Sequence, residues 1–333
     1  MWNIVWVFVP TCLLMLVNGW TDAPVTVATA VSSGAVKFKV AVLLSAVCNF
    51  LGGLVMCLLG NSVAVSISEL IKLEGQTDKL LPALQGAVIT VVLWSLIALK
   101  FGLPTSESHA LFSALSASGV AVEGFSAVNF VEWLKVIIGL VLTTYPLVVS
   151  SYFVTQWVNK FLVLGDNTFK KLQVFGAMLS SFAHGAQDGQ KFAGVLTVAL
   201  SLNRHNAHST DAVVVPFWAV VLSAGMITLG TFLGGRKIVD SIDTFAPKNS
   251  SQGFSADFMS AVTLSVLSVL GIPAATTVAK TMAIVGAGGV NSKHDKGNRT
   301  QKLMYFAWGL TFPICAVLSY FISQIIIFVS SVA

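Results

Sequence analysis

The sequence predicts an all-α polytopic membrane protein built as two inverted repeats, with broken helices and re-entrant hairpins. Its composition indicates the membrane: 55% of the 333 residues are hydrophobic, only 10% are charged, and the mean hydropathy is +0.84. A soluble domain carries roughly 25% charged residues. Motifs that recur at one spacing indicate the repeats, and the placement of Lys and Arg in the loops indicates that the second repeat is inverted.

Uncharged stretches predict the spanning helices. Seven of them are near or beyond the roughly 20 residues that a spanning helix needs. They lie at 1–21, 40–68, 80–99, 136–159, 212–235, 258–279 and 303–333. Shorter apolar stretches lie at 108–122, 172–187, 192–203 and 281–292. These short pieces indicate broken helices or re-entrant hairpins, which are tolerated only where protein or a water-filled cavity covers the backbone.

The first apolar stretch, the cysteines and the net charge do not indicate another class of protein. The first stretch has no Lys or Arg before its apolar run and no small-x-small cleavage site before Asn18, so we interpret it as a retained helix. The cysteines, Cys12, Cys48, Cys57 and Cys315, have no metal-ligand spacing. The net charge of +5 comes mostly from loops, so we expect no nucleic-acid partner.

Three pairs of similar motifs indicate a duplication. The pairs are Asp22 with Asp188, Pro104 with Pro273 and Pro146 with Pro313, at offsets of 166, 169 and 167 residues. All three offsets are close to half the chain length, and the pairs follow the same order. We therefore predict a first repeat at 1–158, a cytoplasmic link at 159–171 and a second repeat at 172–333.

Charges in equivalent loops predict that the repeats are inverted. The loop after the first short hairpin carries Glu123 and Glu132 with no basic residue between them, whereas 293–302 carries four basic residues. The link at 159–171 carries three lysines. Because basic loops stay in the cytoplasm, both of these segments are expected inside and both termini outside.

Each repeat is expected to contain the same series of elements. A broken segment (18–36; 182–202) precedes a long span, a short segment that opens with Pro (104–120; 273–290) and a closing span that contains Pro. Inverted repeats with discontinuous helices are typical of transporters, in which half-helix ends form the substrate site near the midplane.

The two short segments, GLPTSESHAL and GIPAATTVAK, predict an anion site. Pro suits the first turn of a helix, and nearby hydroxyls join the free backbone N–H groups there. Two such helix N-termini, each with a partial positive charge, would surround a tetrahedral oxyanion. The candidate donors are Ser106, Ser108, Thr276 and Thr277, with Lys191 and Lys280 as candidate cations. The alternative is that the hydroxyls only cap two buried helices.

Acidic residues in apolar segments predict a coupling ion, because charges at membrane depth need a partner or a wet cavity. Asp22, Asp188 and Glu107 would repel an anion unless sodium or a proton lies between them. Two alternatives remain open: Glu107 reaching the membrane surface at the mouth of a hairpin, and Lys191 pairing with Asp188 on one helix face. His184 is either a proton carrier or a hydrogen-bonded core histidine.

FAHGAQDGQKFAG resembles the SHGANDxQKxxG signature of the inorganic phosphate transporter family, and NGWTDAPVTVATAVSSGA resembles its NGxNDxxNxxAT signature. PTSESH and PAATTV occupy the place of the PxSTTH segments of that family. The resemblance runs through nearly the whole chain. It implies a homodimeric plasma-membrane transporter in the lipid bilayer that moves inorganic phosphate with sodium or protons and needs no cofactor beyond the coupling ion.

The resemblance also implies site residues. It transfers the family's site onto Asp22, Asp188, Gln190, Lys191, Ser106, Ser108, His109, Thr276 and Thr277. The chain departs from the signatures at Thr21 and Gln187, where the family has Asn; both keep an oxygen for a cation, so we include them. Val25 and Val278 keep no polar atom, and Glu107 replaces a hydroxyl.

The alternative functions are a sulfate or other oxyanion permease of the same fold, an anion channel and an intramembrane aspartyl protease. A protease dyad needs two close carboxyl groups that share a proton. Here each Asp lies in a matching motif with a matching hairpin downstream, a symmetry that transport uses and proteolysis does not. We therefore expect no enzymatic activity, and an uptake that saturates and concentrates the anion would exclude a channel.

Overall fold

A computed structural model describes residues 4–72, 77–203, 214–291 and 295–332. Within these residues the chain forms fourteen α-helices and two short 3-10 helices. The helices before the middle of the chain are α1 (Val5–Thr21), α2 (Ala23–Ser32), α3 (Phe38–Leu59), α4 (Ser62–Ser68), α5 (Thr77–Phe101), α6 (Glu107–Glu123), α7 (Phe130–Leu142) and α8 (Tyr145–Phe161). Those after it are α9 (Asp166–Asn203), α10 (Phe217–Phe232), α11 (Arg236–Asp243), α12 (Ser250–Val269), α13 (Thr276–Gly288) and α14 (Asp295–Val332).

The two parts of the chain contain equivalent elements in the same order. The pair α1 and α2 corresponds to α9, α3 and α4 to α10 and α11, α5 and α6 to α12 and α13, and α7 and α8 to α14. A 3-10 turn follows α6 at Gly124–Ala127 and α13 at Gly289–Asn291. This order confirms the predicted fold class. Of the predicted link, only 162–165 lies outside a helix.

The predicted break at 182–202 is wrong, because α9 is one continuous helix of 38 residues. In the first part the chain is interrupted between α1 and α2, where Pro24 lacks the N–H group that a helix needs. The equivalent position in α9 is Gln190, which has that group. The stretches at 172–187 and 192–203 therefore belong to a single helix.

In the part of the chain that the structure describes, six helical segments are long and apolar enough to cross a membrane. They are Val5–Ser32, Phe38–Leu59, Lys79–Phe101, Glu107–Ala127, Phe130–Phe161 and Arg299–Val332. Helices α10 and α11, bent by 71° at their junction, form a seventh if counted together. The uncharged stretch at 258–279, which we predicted to span, instead contains the end of α12 and the turn into α13.

Two helix hairpins, α5 with α6 and α12 with α13, share one turn geometry. Gly102 and Gly271 follow the first helix of each hairpin with φ of 64° and 68°, a left-handed conformation that glycine adopts without strain. The next residue, Leu103 or Ile272, donates its N–H back to the carbonyl five residues earlier, at 3.1 and 2.9 Å. This is a glycine-terminated helix end, and each turn leads directly to Pro104 or Pro273, three residues before the short helix begins.

The first long helix of each part packs against the next long helix of the other part, α1 against α10 and α9 against α3. A methyl group added at Gly19 on α1 would lie 2.0 Å from the Ile227 carbonyl oxygen on α10. One added at Gly185 on α9 would lie 2.0 Å from the Asn49 carbonyl oxygen on α3. Close approach at small residues is the usual way in which membrane helices pack. Helix α9 also packs on α2, α4 and α12, so it lies at the centre of the molecule.

Candidate functional site

All the predicted site residues are buried, and most of them lie near the ends of helices. None is more than 6% exposed. They are Thr21, Asp22, Ser106, Glu107, Ser108, His109, Gln187, Asp188, Gln190, Lys191, Thr276, Thr277 and Lys280. The α1–α2 junction, the middle of α9 and the beginnings of α6 and α13 supply the residues around Asp22, Asp188 and Lys191, so these elements form the site.

Asp22 occupies the junction between α1 and α2. Its N–H donates to the Asn18 carbonyl at 2.8 Å, and its carbonyl accepts from Val25 at 3.1 Å. Because Pro24 has no N–H to donate to the Trp20 carbonyl, the helical hydrogen bonds stop here. The junction therefore places the Asp22 carboxyl inside the protein, 3% exposed, beside the Thr277 hydroxyl of α13.

Asp188 collects four polar neighbours. Its Oδ1 lies 2.7 Å from the Lys191 ammonium, and its Oδ2 accepts from Asn18 Nδ2 at 3.1 Å. His184 Nε2 lies 3.2 Å from Oδ2, and the Thr276 hydroxyl donates to the same oxygen at 3.3 Å. His184 and Lys191 share a face of α9 with Asp188 at spacings of four and three residues. The predicted pairing of Lys191 with Asp188 is therefore present.

Lys191 also joins the two hairpins. Its ammonium donates to Ser108 Oγ of α6 at 2.8 Å and to the Ala274 carbonyl just before α13. Together with Asp188, these acceptors use all three N–H donors of the lysine. The Ser108 hydroxyl reaches the same Ala274 carbonyl at 3.4 Å. The beginnings of the two short helices thus converge on one cation.

The hydroxyls at these helix starts differ in role. Ser106 is the N-cap of α6 and accepts from the His109 N–H at 3.2 Å, which is the capping role that the sequence left open. In α13 the N-cap is Ala275, which has no side-chain acceptor, so Thr276 and Thr277 are the first hydroxyls of that helix. Thr276 is directed to Asp188 instead.

Glu107 is buried, at 3% exposure, and accepts a hydrogen bond from the Thr21 hydroxyl. The alternative in which it reaches the membrane surface at the mouth of a hairpin is therefore wrong. Thr21 comes directly before Asp22 in the chain, so its contact ties the α6 carboxyl to the α1–α2 junction.

Both predicted glutamines hold backbone in place in this structure. Gln187 accepts from the Ala274 N–H at 3.3 Å and donates to the Ile272 carbonyl at 3.2 Å, across the turn into α13. Gln190 accepts from the Val63 N–H of α4 at 3.1 Å. Their amides position the hairpin and α4 around the carboxylates.

Two predicted substrate residues lie apart from this centre. The His109 ring stacks on Phe312 of α14, with centroids 4.5 Å apart, so it contacts the closing helix. Lys280 pairs with Asp257 of α12. The structure thus places Lys280, which the sequence predicts as a second cation of the anion site, in a separate cluster one turn beyond Thr276.

Asn18 and His184 complete the site; the sequence marked His184 as a proton carrier or a core histidine but did not single out Asn18. Each lies four residues before an aspartate, Asp22 or Asp188, and they are 166 positions apart, as those aspartates are. This shared position in the duplicated motif was the signal that could have found Asn18. Both side chains contact Asp188.

The electrostatics of the site favour a cation. Asp22, His184 and Asp188 each offer one ligand atom, and these atoms all lie within 4.8 Å of one another. With Glu107, the cluster holds three carboxyl groups and one ammonium, that of Lys191. Full ionisation would leave two buried negative charges without a partner, which is unfavourable in free energy. Binding a cation or a proton would neutralise such a charge.

Comparisons with known proteins agree on one family. A sequence profile described as "Phosphate transporter family" matches residues 18–167 and 164–319. The chain is similar to a "Probable low-affinity inorganic phosphate transporter" of Rhizobium meliloti (strain 1021), with 34% identity over 91% of this chain and 90% of the relative. It is also similar to a protein of the same description from Bacillus subtilis (strain 168), with 31% identity over 93% of this chain and 94% of the relative.

A solved structure described as "The sodium-dependent phosphate transporter" has the same fold. Its TM-score is 0.86 at 21% sequence identity, over 97% of this chain and 98% of that chain. At this level of identity the likeness supports the fold.

Proposed function

The chain belongs to the phosphate transporter family, a family of multi-pass membrane transporters and not of enzymes. On that premise we propose that it is a secondary active transporter that imports inorganic phosphate by symport with sodium or protons. In this proposal it works in the plasma membrane as a homodimer. Its repeats comprise 1–158 and 172–333, joined by a cytoplasmic link at 159–171.

The observation that carries the proposal is the position of Lys191. Its ammonium bonds to Asp188, to Ser108 and to the Ala274 carbonyl, so it stands where the N-terminal ends of α6 and α13 meet. Helix N-termini attract anions through their free N–H groups and partial positive charge. An incoming phosphate would exchange these internal bonds for its own contacts with the ammonium and the hydroxyls of Ser106, Ser108, Thr276 and Thr277.

The surplus of carboxyl groups supports coupling to a cation. Asp22, Glu107 and Asp188 share the site with one lysine, so an anion would enter a region that is already negative. Sodium bound among the carboxylates, or protons on them, would remove that repulsion. The cation and the anion then each stabilise the binding of the other, which is the physical basis of symport.

Burial supports alternating access. Every predicted site residue is at most 6% exposed, so phosphate reaches the site only after the helices move. Inverted repeats provide for this, because one repeat can rock against the other around a fixed midplane site. Such a motion would break the hydrogen bonds by which Lys191 holds the two hairpin tips, to Ser108 and to the Ala274 carbonyl.

Uptake of radiolabelled phosphate into proteoliposomes tests the proposal. Sodium and pH gradients are imposed one at a time, and liposomes without protein serve as the blank. We expect saturable uptake that concentrates phosphate inside when the gradient of the coupling ion is present and stops when that gradient is collapsed. Uptake that only equilibrates phosphate under every gradient would reject symport in favour of a channel.

A further inference from the structure

A second buried ion pair lies close to the proposed transport site, and the mechanism above makes no use of it. Lys280 of α13 and Asp257 of α12 pair at 1% and 0% exposure. Lys280 lies one helical turn beyond Thr276, a rise of about 6 Å. A lysine and an aspartate buried this completely need a reason, because charges at membrane depth are unfavourable without a specific role.

The ammonium of Lys280 is surrounded by oxygen atoms of three kinds. It donates to the Asp257 carboxylate, to the Thr26 main-chain carbonyl at 2.9 Å and to the Ser180 hydroxyl at 3.3 Å. The Thr29 hydroxyl donates to the same carboxylate at 2.5 Å. Carboxylate, carbonyl and hydroxyl oxygens are also the ligands that hold hard metal cations in proteins, and carbonyls at helix interruptions coordinate sodium in other transporters.

Asp257 retains an unused acceptor. Its Oδ2 is buried and, among the described residues, has no hydrogen-bond partner. We call the oxygens of Asp257, Thr29, Ser180 and the Thr26 carbonyl the cage. Because Oδ2 is unused, the cage can give one further oxygen to a cation placed inside it.

The cage is built from the helices of the transport site. Thr26 and Thr29 are on α2, which begins just after Asp22, and Ser180 is on α9, two turns before Asp188. Lys280 is on α13. A cation in the cage therefore holds α2, α9 and α13 together. Of these helices, α9 carries Asp188, and α13 carries Thr276 and Thr277.

Hydrogen bonds also connect the two clusters. His184, which contacts Asp188, bonds through Nδ1 to Asn49 Oδ1 at 2.8 Å, and Asn49 donates to Ser45 at 3.2 Å. Ser45 bonds to Ser181 at 3.1 Å, and Ser181 bonds to the Thr26 hydroxyl at 2.7 Å. The Thr26 carbonyl is a ligand of the Lys280 ammonium. A change at either cluster can thus alter the other.

We propose that Asp257, Thr29, Ser180 and the Thr26 carbonyl form a site for a monovalent alkali-metal cation, and that the ammonium of Lys280 occupies it as a tethered cation. The protein carries this charge as part of its own chain, so the site takes no free ion in the wild type. The substitution Lys280→Ala removes the ammonium, leaves the oxygens in place and opens the site to sodium or potassium.

The cation site around Lys280 does not involve the transported anion, so cation binding is measured without phosphate. Purified protein is titrated with ²²Na⁺ and, separately, with ⁸⁶Rb⁺ as a probe for potassium. We expect Lys280→Ala to bind one more alkali cation per chain than the wild type, with the gain lost in Lys280→Ala/Asp257→Asn. Lys170→Ala, which removes a lysine from the surface pair with Asp166, is the matched control and should bind as the wild type does.

Thermal unfolding in sodium, potassium or choline chloride gives a second readout. A cation that binds only the folded protein raises the unfolding temperature, so Lys280→Ala should be stabilised by sodium or potassium over choline by several degrees more than the wild type. A folded Lys280→Ala that gains neither bound cation nor salt-specific stability overturns the proposal. So does a Lys280→Ala that fails to fold in all three salts while the double variant folds, because no free cation then replaces the ammonium.

Discussion

Asn18 and His184 occupy equivalent positions in the two halves of the chain, yet both side chains contact the carboxylate of Asp188. Asn18 donates to Oδ2 at 3.1 Å, and His184 Nε2 lies 3.2 Å from the same oxygen. The site is therefore asymmetric although the motifs that form it are repeated. Asp188 is the member of the duplicated pair that is held by neighbours and by Lys191, and the predictions for the two aspartates differ accordingly.

Asp188→Asn is expected to abolish phosphate uptake and to destabilise the protein, because the Lys191 ammonium stays buried without its carboxylate. Removing one partner of a buried ion pair costs about 3 to 5 kcal/mol. Asp22→Asn should also abolish uptake but lose less stability, since the described residues give Asp22 no ion pair. Proteoliposome uptake and thermal unfolding measure both effects. Asp166→Asn, in a surface pair, is the control, and near-normal uptake in Asp188→Asn would contradict the coupling role.

Lys191→Arg should fail to restore the function that Lys191→Met removes. The compact ammonium donates to Asp188, Ser108 and Ala274 in three directions, whereas a guanidinium donates in one plane. Hydrogen bonds to charged groups contribute about 1.5 to 3 kcal/mol each, so one lost bond lowers uptake about tenfold or more. Uptake is compared with that of Lys170→Arg. An active Lys191→Arg would show that positive charge alone is sufficient.

Phosphate should be preferred to sulfate, with arsenate as an effective competitor. Near neutral pH phosphate and arsenate keep at least one proton and can donate to a carboxylate, whereas sulfate only accepts. Sulfate would leave Asp22, Glu107 or Asp188 facing an acceptor, and an unpaired buried acceptor costs about 1 to 3 kcal/mol. Competition against labelled phosphate measures the preference. Equal inhibition by sulfate and arsenate would show that no carboxylate contacts the proton of the substrate.

Gly271→Ala should destabilise the protein more than Gly102→Ala, although both glycines have positive φ. The strain of placing alanine in that conformation is common to both variants, roughly 1 kcal/mol. At Gly271 the new methyl group would also lie 2.8 Å from Ser62 Cβ, whereas at Gly102 the nearest atoms are 3.6 Å away. Thermal unfolding of the two variants isolates the contact. Equal losses would indicate that α4 moves aside.

Single cysteines test the orientation of the repeats. After the native cysteines are replaced, cysteines at Gly165 and Lys302 should react with a membrane-impermeant maleimide only from the cytoplasmic side. A cysteine at Phe125, which is 78% exposed in the turn after α6, should react only from outside. The reason is the distribution of basic residues. Phe125 and Lys302 labelled from one side would reject the inversion. Lys293, part of the basic loop, lies outside the described residues.

The part of the fold that could be predicted came from two patterns in the sequence, its hydropathy and its duplicated motifs. The offset of Asp22 and Asp188 located the motifs, and the glycine and proline before each short helix located the hairpins. The continuity of α9 was not predicted, because charged residues near Asp188 interrupt the apolar pattern without interrupting the helix.

The partners of Lys280 could not be read from the sequence. Asp257 follows a polar stretch at 247–252 and has the pattern of a residue near a helix start, with nothing to associate it with a lysine 23 positions later. An ion pair between two helices depends on how they rotate against each other, and composition does not encode that rotation. The pairing of Lys191 with Asp188 was predictable because both residues lie on one helix.

The crossed contacts at Gly19 and Gly185 have a consequence for biosynthesis. Gly19 meets Ile227, which is 208 positions later in the chain. At a synthesis rate of about 5 to 20 residues per second, α1 waits roughly 10 to 40 seconds in the lipid before its partner α10 leaves the ribosome. During that time the acidic junction at Asp22 also lacks the Thr277 hydroxyl of α13, which lies beside its carboxyl in the folded protein. An insertion factor or chaperone that shelters polar segments in the bilayer would act on this protein in that interval, and the early-made half would be its client.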